Sequence, residues 1–241
     1  MNKKQWERKV KKTHESFERW SVSASMNWEH HASQIRTVDW AIQECRDAFI
    51  QGDASGCFLG ESGGTYMRFL WDNAFRLKQR GIYEPALFCA YTCSSLGMAG
   101  WPKDYVAYLF ALADMDKLRE AGDPIPPAKS FTLYRGVSGP KNHHRPYPSW
   151  TSDYWTAAWF AVRFGNKNSI IYQAEVSRKD ILFHNNGSEK EFVVMCPQDP
   201  HDLDVDWDTV GKEANDRHLK VLNNGFGGGS AGSESEDNKA S

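Results

Sequence analysis

Residues 149–165, SWTSDYWTAAWFAVRFG, place three hydroxyls within four positions and then run into an Ala-Ala pair flanked by aromatic residues. The Ser-x-Thr alternation at Ser149 and Thr151 suits a short strand, because residues two apart share a face of an extended chain. The following Ala158, Phe160 and Phe164 are read as the buried stripe of an amphipathic helix, with Ser149, Thr151 or Ser152 available to cap it. A strand feeding directly into a helix in this way places the stretch inside a mixed α/β unit.

The neighbouring segments extend that reading. SFTLYRGV (130–137) and SIIYQAEV (169–176) are rich in β-branched and aromatic residues and are expected to be strands, as is KEFVVMCP (190–197), which stops at Pro197. Upstream, GDPIPPAK (122–129) carries Pro124, Pro126 and Pro127, so no helix continues through it. Before that breaker the period is helical. TVDWAIQECRDAFIQG (37–52) sets Val38, Ile42, Cys45, Phe49 and Ile50 at helical intervals and ends at Gly52. TYMRFLWDNAFRLKQRG (65–81) does the same with Met67, Leu70, Trp71, Phe75 and Leu77, then basic residues and Gly81. PALFCAYTCSSLGMAG (85–100) and KDYVAYLFALADMDKLREAG (103–122) complete a series of about five helices, whose Trp and Phe residues are expected in the core. The chain is therefore expected to be α+β, with a helical region over 1–128 and a mixed α/β core over 129–222. Residues 223–241, rich in Gly, Ser and charge, are expected to form a disordered tail.

A chain of 241 residues can bury a sizeable core, and its formal net charge of -2 singles out no charged partner. The basic stretch 3–12 and the acidic stretch 199–208 read as solvated faces. No apolar run has the length of a membrane span and no secretory leader pattern is present, so no membrane partner and a cytoplasmic location are expected. Cys45, Cys57, Cys89, Cys93 and Cys196 form an odd set without CxxC spacing, expected to be reduced and mostly buried. Cys89 with Cys93, His30 with His31, and His143 with His144 offer ligands, but no set has zinc-site spacing, and no metal is expected.

Three short segments carry the chemistry. In LYRG (133–136), Arg135 at a strand end is either a phosphate-binding fork beside backbone that Gly136 leaves open, or one half of a structural ion pair. Ser149 follows the aromatic-Pro lead-in Tyr147-Pro148. In SEKEFVV (188–194), Glu189 and Glu191 either share one face of a strand or, if the strand begins at Glu191, Glu189 lies on the loop before it. An exposed acidic strand edge is the alternative to both.

Arg, then Ser-x-Thr, then Glu-x-Glu, in that order between Phe131 and Pro197, resembles the R-S-E class of ADP-ribosyltransferases, the cholera-toxin-like group. The resemblance implies a core of two packed, mainly antiparallel sheets. It implies that Arg135 holds NAD, that the backbone of Gly136 meets the nicotinamide amide, and that Ser149 orients the catalytic Glu191. Glu189 becomes the upstream acid of the ExE motif, and Thr151 and Phe164 join the NAD-binding set. The Ser-Thr-Ser motif of the family is altered here, with Trp150 in the middle and Thr151 third. A Trp150-Thr151-Ser152 register would shift the serine role toward Thr151 or Ser152.

The implied chemistry suits these residue types. Cleaving the nicotinamide-ribose bond develops positive charge that a carboxylate stabilises, while a second carboxylate orients or deprotonates the acceptor. NAD is then a substrate and the protein a toxin- or effector-like mono-ADP-ribosyltransferase. Within the resemblance, ExE implies transfer to protein arginine, with HNNGSEKE (184–191) as the loop that presents the target. A DNA or RNA base is the alternative acceptor, with Trp6, Trp20 and Trp28 among basic residues as stacking partners. NAD hydrolysis without transfer and an inactive binding module are further alternatives. The helical region covers the target, binds an antitoxin-like partner or completes the core.

Overall fold

The computed structural model describes residues 39–58, 66–93, 103–139, 148–165, 168–195 and 197–226. Helix α1 (Asp39–Gln51) ends where Gly52 adopts φ 82°, and α2 (Tyr66–Arg80) ends where Gly81 adopts φ 79°. Both glycines take the left-handed conformation that lets the last carbonyls be satisfied, and Gly81 and Ile82 donate back to Lys78 and Leu77 at 3.0 Å each. A short 3-10 turn, Gly56–Phe58, separates these two helices. Next come α3 (Tyr83–Cys93), α4 (Lys103–Leu112) and α5 (Met115–Ala121). The stretch 103–122 is broken because Asp114 caps α5, accepting from the backbone of Asp116 and Lys117 at 3.0 and 3.3 Å.

Two residues assigned to apolar stripes face water: Ile50 is 65% exposed and Phe75 53% exposed. In α2 the inward line runs through Met67, Leu70, Ala74 and Leu77, and Phe75 lies one step, about 100°, around from it. Apolar character alone does not set the buried face.

After the extended, proline-rich segment come β1 (Ser130–Val137), β2 (Ser149–Thr151) and α6 (Tyr154–Val162). They are followed by β3 (Ile170–Ser177), β4 (Phe183–Asn185), β5 (Glu191–Val193), β6 (His201–Asp202) and α7 (Trp207–Phe226). The strands form one sheet in the order β4-β5-β2-β1-β3-β6, with every neighbouring pair antiparallel. The fold is thus α+β, but the described residues make one hydrogen-bonded sheet rather than two packed ones. Its halves join through a single registered pair, Tyr134 with Thr151, whereas β1 and β3 pair along eight positions.

The cap of α6 differs from expectation. Its N-cap is Asp153, whose carboxylate accepts from Trp155 and Thr156 at 2.8 and 3.2 Å, and not one of the preceding hydroxyls. A carboxylate also interacts favourably with the positive end of the helix. Phe164 lies beyond the helix and is 67% exposed, so it is not part of the buried stripe, which consists of Ala157, Ala158 and Ala161. Helix α7 runs on to Phe226, so residues 223–226 of the expected tail are helical. A helix already nucleated by packing carries a few more residues at little cost. The remainder of the tail, 227–241, lies outside the described residues, as do His30, His31, His143, His144, Cys196 and the tryptophans at 6, 20 and 28.

Three buried clusters hold the layers together. The largest joins Ala48, Leu70, Leu87 and Leu118 of the helices to Phe183 of β4 and Val193 of β5. Phe183 packs edge-on against Phe88 and Tyr91, with centroids 5.1 and 5.5 Å apart. Hydrogen bonds stitch the same boundary: Arg119 donates to the Ile181 and Lys179 carbonyls at 3.1 and 2.8 Å, and Asp123 N–H donates to the His184 carbonyl at 2.8 Å. Position 128 therefore marks a change of secondary structure within a continuous core. A second cluster gathers Leu133, Trp150, Ala174 and Phe192, and a third packs α6 and α7 together through Ala158, Ala161 and Ala214, with Ile171 of β3. Among the described residues no helix is long and apolar enough to cross a membrane, and no group of His, Cys, Asp and Glu has metal-binding geometry.

Candidate active site

The sheet order places the three sequence segments side by side. In the β2–β5 ladder Ser149 pairs with Val193 and Thr151 with Glu191, so Ser149 and Glu191 are diagonal neighbours on one face. Arg135, on β1, donates from its guanidinium to the main-chain carbonyl of Ser149. Trp150, pointing the opposite way, packs with Leu133 and Phe192 in the second cluster. Trp150 is thus a core residue on the far face of the strand from Ser149 and Thr151.

Glu191 is buried. Burial holds its carboxyl above the ordinary glutamate range; hydrogen bonding from the Ser149 hydroxyl pulls it down, the Glu189 charge pushes it up, and Tyr91 and Arg135 pull it down. The group is a desolvated carboxyl supplied with two hydroxyl partners and a nearby guanidinium.

Tyr91, on α3, was not singled out by the sequence. It sits in PALFCAYTC, where an aromatic residue at helical spacing reads as core, and its ring does pack edge-on against Phe110 and Phe183 at 5.5 Å each. Its hydroxyl, however, is engaged with both Ser149 and Glu191, and burial pushes its own pKa well above the ordinary tyrosine value. No local signal marks this role, because the partners come from two strands, β2 and β5, much further along the chain.

Glu189 lies on the loop before β5. Lys190 adopts φ 44° and its N–H closes a turn to the Gly187 carbonyl at 3.1 Å, which ends the strand alternation ahead of Glu191. Glu189 is an exposed residue, yet neighbouring atoms desolvate its carboxyl and raise its pKa, while the charges of Arg163 and His218 lower it. The loop is tied down at two points. The Thr151 hydroxyl donates to the Glu189 carbonyl at 2.7 Å, and Lys190 pairs with the Asp153 carboxylate at 3.6 Å.

The same hydroxyl of Thr151 accepts from the Asp153 N–H at 3.0 Å, so it is engaged by backbone on both sides. Ser152 is exposed. Ser149 is the hydroxyl of the stretch that meets Glu191. Gly136 has a packing reason of its own: a Cβ there would fall 1.7 Å from the Ala157 carbonyl oxygen of α6. Phe164 lies against the Arg163 guanidinium, whose carbon is 4.5 Å from its ring centroid.

Set against family models, curated proteins and solved structures, the chain matches none of them.

Proposed function

We propose that the chain is an NAD-dependent mono-ADP-ribosyltransferase of toxin or effector type, transferring ADP-ribose to protein arginine. The observation that supports this reading is the convergence of Arg135, Ser149 and Glu191, three residues expected from their order alone, around one buried carboxyl. Nothing in local sequence obliges three segments to meet in that way.

The residues divide the work. Arg135 supplies a fixed positive charge for the pyrophosphate of NAD. Glu191, ionised, stabilises the positive charge that grows on the ribose as nicotinamide departs. Ser149 and Tyr91 hold that carboxylate in one orientation and offset the penalty of its burial. Glu189, exposed at the loop and of raised proton affinity, meets an incoming guanidinium and takes its proton.

The test is incubation with labelled NAD and total cell extract, followed by separate protease and nuclease digestion. Label that is released by protease and resists nuclease is the expected result. Nuclease-sensitive label assigns a nucleic-acid acceptor instead, and NAD loss without label assigns a hydrolase. Intact NAD with no label overturns the reading.

A further inference from the structure

A single carboxylate at the start of α6 holds both the helix and the turn that carries Glu189. One oxygen of Asp153 accepts the N–H groups of Trp155 and Thr156 at 2.8 and 3.2 Å, which caps the helix. Its other oxygen lies 3.6 Å from the Lys190 ammonium. Lys190 stands between the two glutamates at φ 44°, in the left-handed region that a residue with a side chain occupies when its surroundings hold it there. Three contacts do so: its N–H closes the turn to the Gly187 carbonyl at 3.1 Å, its ammonium reaches Asp153, and the Thr151 hydroxyl donates to the Glu189 carbonyl at 2.7 Å. Thr151 accepts in turn from the Asp153 N–H at 3.0 Å, so residues 151 and 153 grip the 189–190 peptide together. Glu191 needs none of this, since burial and the ladder to Thr151 fix it. Glu189 depends on it, because that residue is exposed and lies outside the ladder.

We propose that Asp153 and Lys190 are positioning residues, whose ion pair fixes the Glu189 turn and so decides how much cleaved NAD ends on the acceptor and how much on water; this rests on the transferase reading given above. In both outcomes the bond from the ribose carbon to the nicotinamide nitrogen breaks, and its electron pair leaves with neutral nicotinamide. In transfer, a guanidinium nitrogen of the acceptor bonds to that carbon and its displaced proton passes to Glu189. In hydrolysis, a water oxygen bonds to it and the proton goes to solvent. Glu191 serves both routes, whereas only transfer needs Glu189 at a set distance from the reacting carbon. A turn released from α6 lets that carboxyl drift, and transfer falls relative to hydrolysis. The side chains of Lys190 and Asp153 are 55% and 33% exposed, so water screens the pair and its contribution is modest.

The experiment uses the full chain, NAD and an arginine-containing peptide, reading nicotinamide released and peptide labelled in the same reaction. Asp153→Asn keeps an oxygen to cap α6 and removes the charge, and Lys190→Met removes the charge from a chain of similar length. Each is expected to lower label per nicotinamide by about two- to five-fold, the size an ion pair of this exposure supports. The double variant is expected to be no lower than either single one, and Lys190→Arg to keep the parental ratio. A parental ratio in either single variant, as when label and nicotinamide fall together, overturns the inference and leaves the transferase reading standing. Losses that multiply in the double variant, or Lys190→Arg behaving as Lys190→Met does, have the same consequence. A parent protein that releases no nicotinamide, or labels no peptide, overturns that reading and this inference with it.

Discussion

Glu189 and Glu191 stand two positions apart but occupy different surroundings, one exposed on a loop and one buried on a strand. Glu191→Gln is expected to lower both NAD cleavage and transfer by about 100- to 1000-fold, the usual loss when a group that stabilises developing charge is removed. Glu189→Gln is expected to spare NAD cleavage and lose transfer, as separate assays of nicotinamide release and labelled target would read. The pH dependence follows from the same environment. In the proposed reaction Glu191 acts ionised, and burial raises its pKa, so activity is expected to fall on the acid side at a pH above the ordinary glutamate value of about 4.3. Tyr91→Phe removes a hydrogen bond that lowers this pKa, so the acid limb moves to higher pH; Glu189→Gln removes a charge that raises it, so the limb moves down. A merely structural Tyr91 changes the rate without moving the limb. Stability carries the opposite sign. A carboxyl with a raised folded pKa stabilises the fold while protonated, and that contribution is lost as pH rises from the unfolded value through the folded one. Glu191→Gln is therefore expected to melt at a higher temperature than the parent at neutral pH, with the difference vanishing below about pH 4. The acid pair was legible in SEKEFVV; their unequal burial was not, since it depends on what packs over each.

Helix α6 and strand β1 approach so closely that the backbone carbonyl of Ala157 lies where a side chain at position 136 would begin. Gly136→Ala must push α6 off the sheet and is expected to destabilise the protein by on the order of 1–3 kcal/mol, the range typical of overpacking, as denaturant unfolding would measure. Arg135 is the neighbour in sequence, so such a shift would also disturb the guanidinium. No local signal marks this approach, because Gly136 lies a strand and a loop before the Ala-Ala pair of α6. The expected caps of α6 were the hydroxyls of Ser149, Thr151 or Ser152, and Asp153 was not among them. Asp153 takes the role because Ser149 and Thr151 are drawn into the β2–β5 ladder, and backbone already engages the Thr151 hydroxyl. The short strands β4 and β6, two to three residues each, carry too little pattern to be read, and α7 begins in an acidic run that reads as surface.

Among the described residues the helices and the sheet share one core, since Phe183 and Val193 belong to the same buried cluster as side chains of α1–α5 and Tyr91 reaches back to Glu191. A fragment beginning at residue 129 would expose those side chains and is expected to show no cooperative unfolding transition. A fragment that melts cooperatively and cleaves NAD would refute this. The helical period, the proline breaker at 122–129, the strands β1 and β3 and the order of Arg, Ser and Glu were determined by the sequence itself, because each rests on residues close in the chain. Local spacing governs backbone conformation, turn chemistry and which side chains can share a face. Only the tertiary structure decided that the strands form one sheet, that the Ser149 hydroxyl rather than that of Thr151 meets Glu191 and that Tyr91 belongs to the site. Those outcomes depend on contacts between distant segments, which are set by how layers bury their apolar faces together and which no window of neighbouring residues contains.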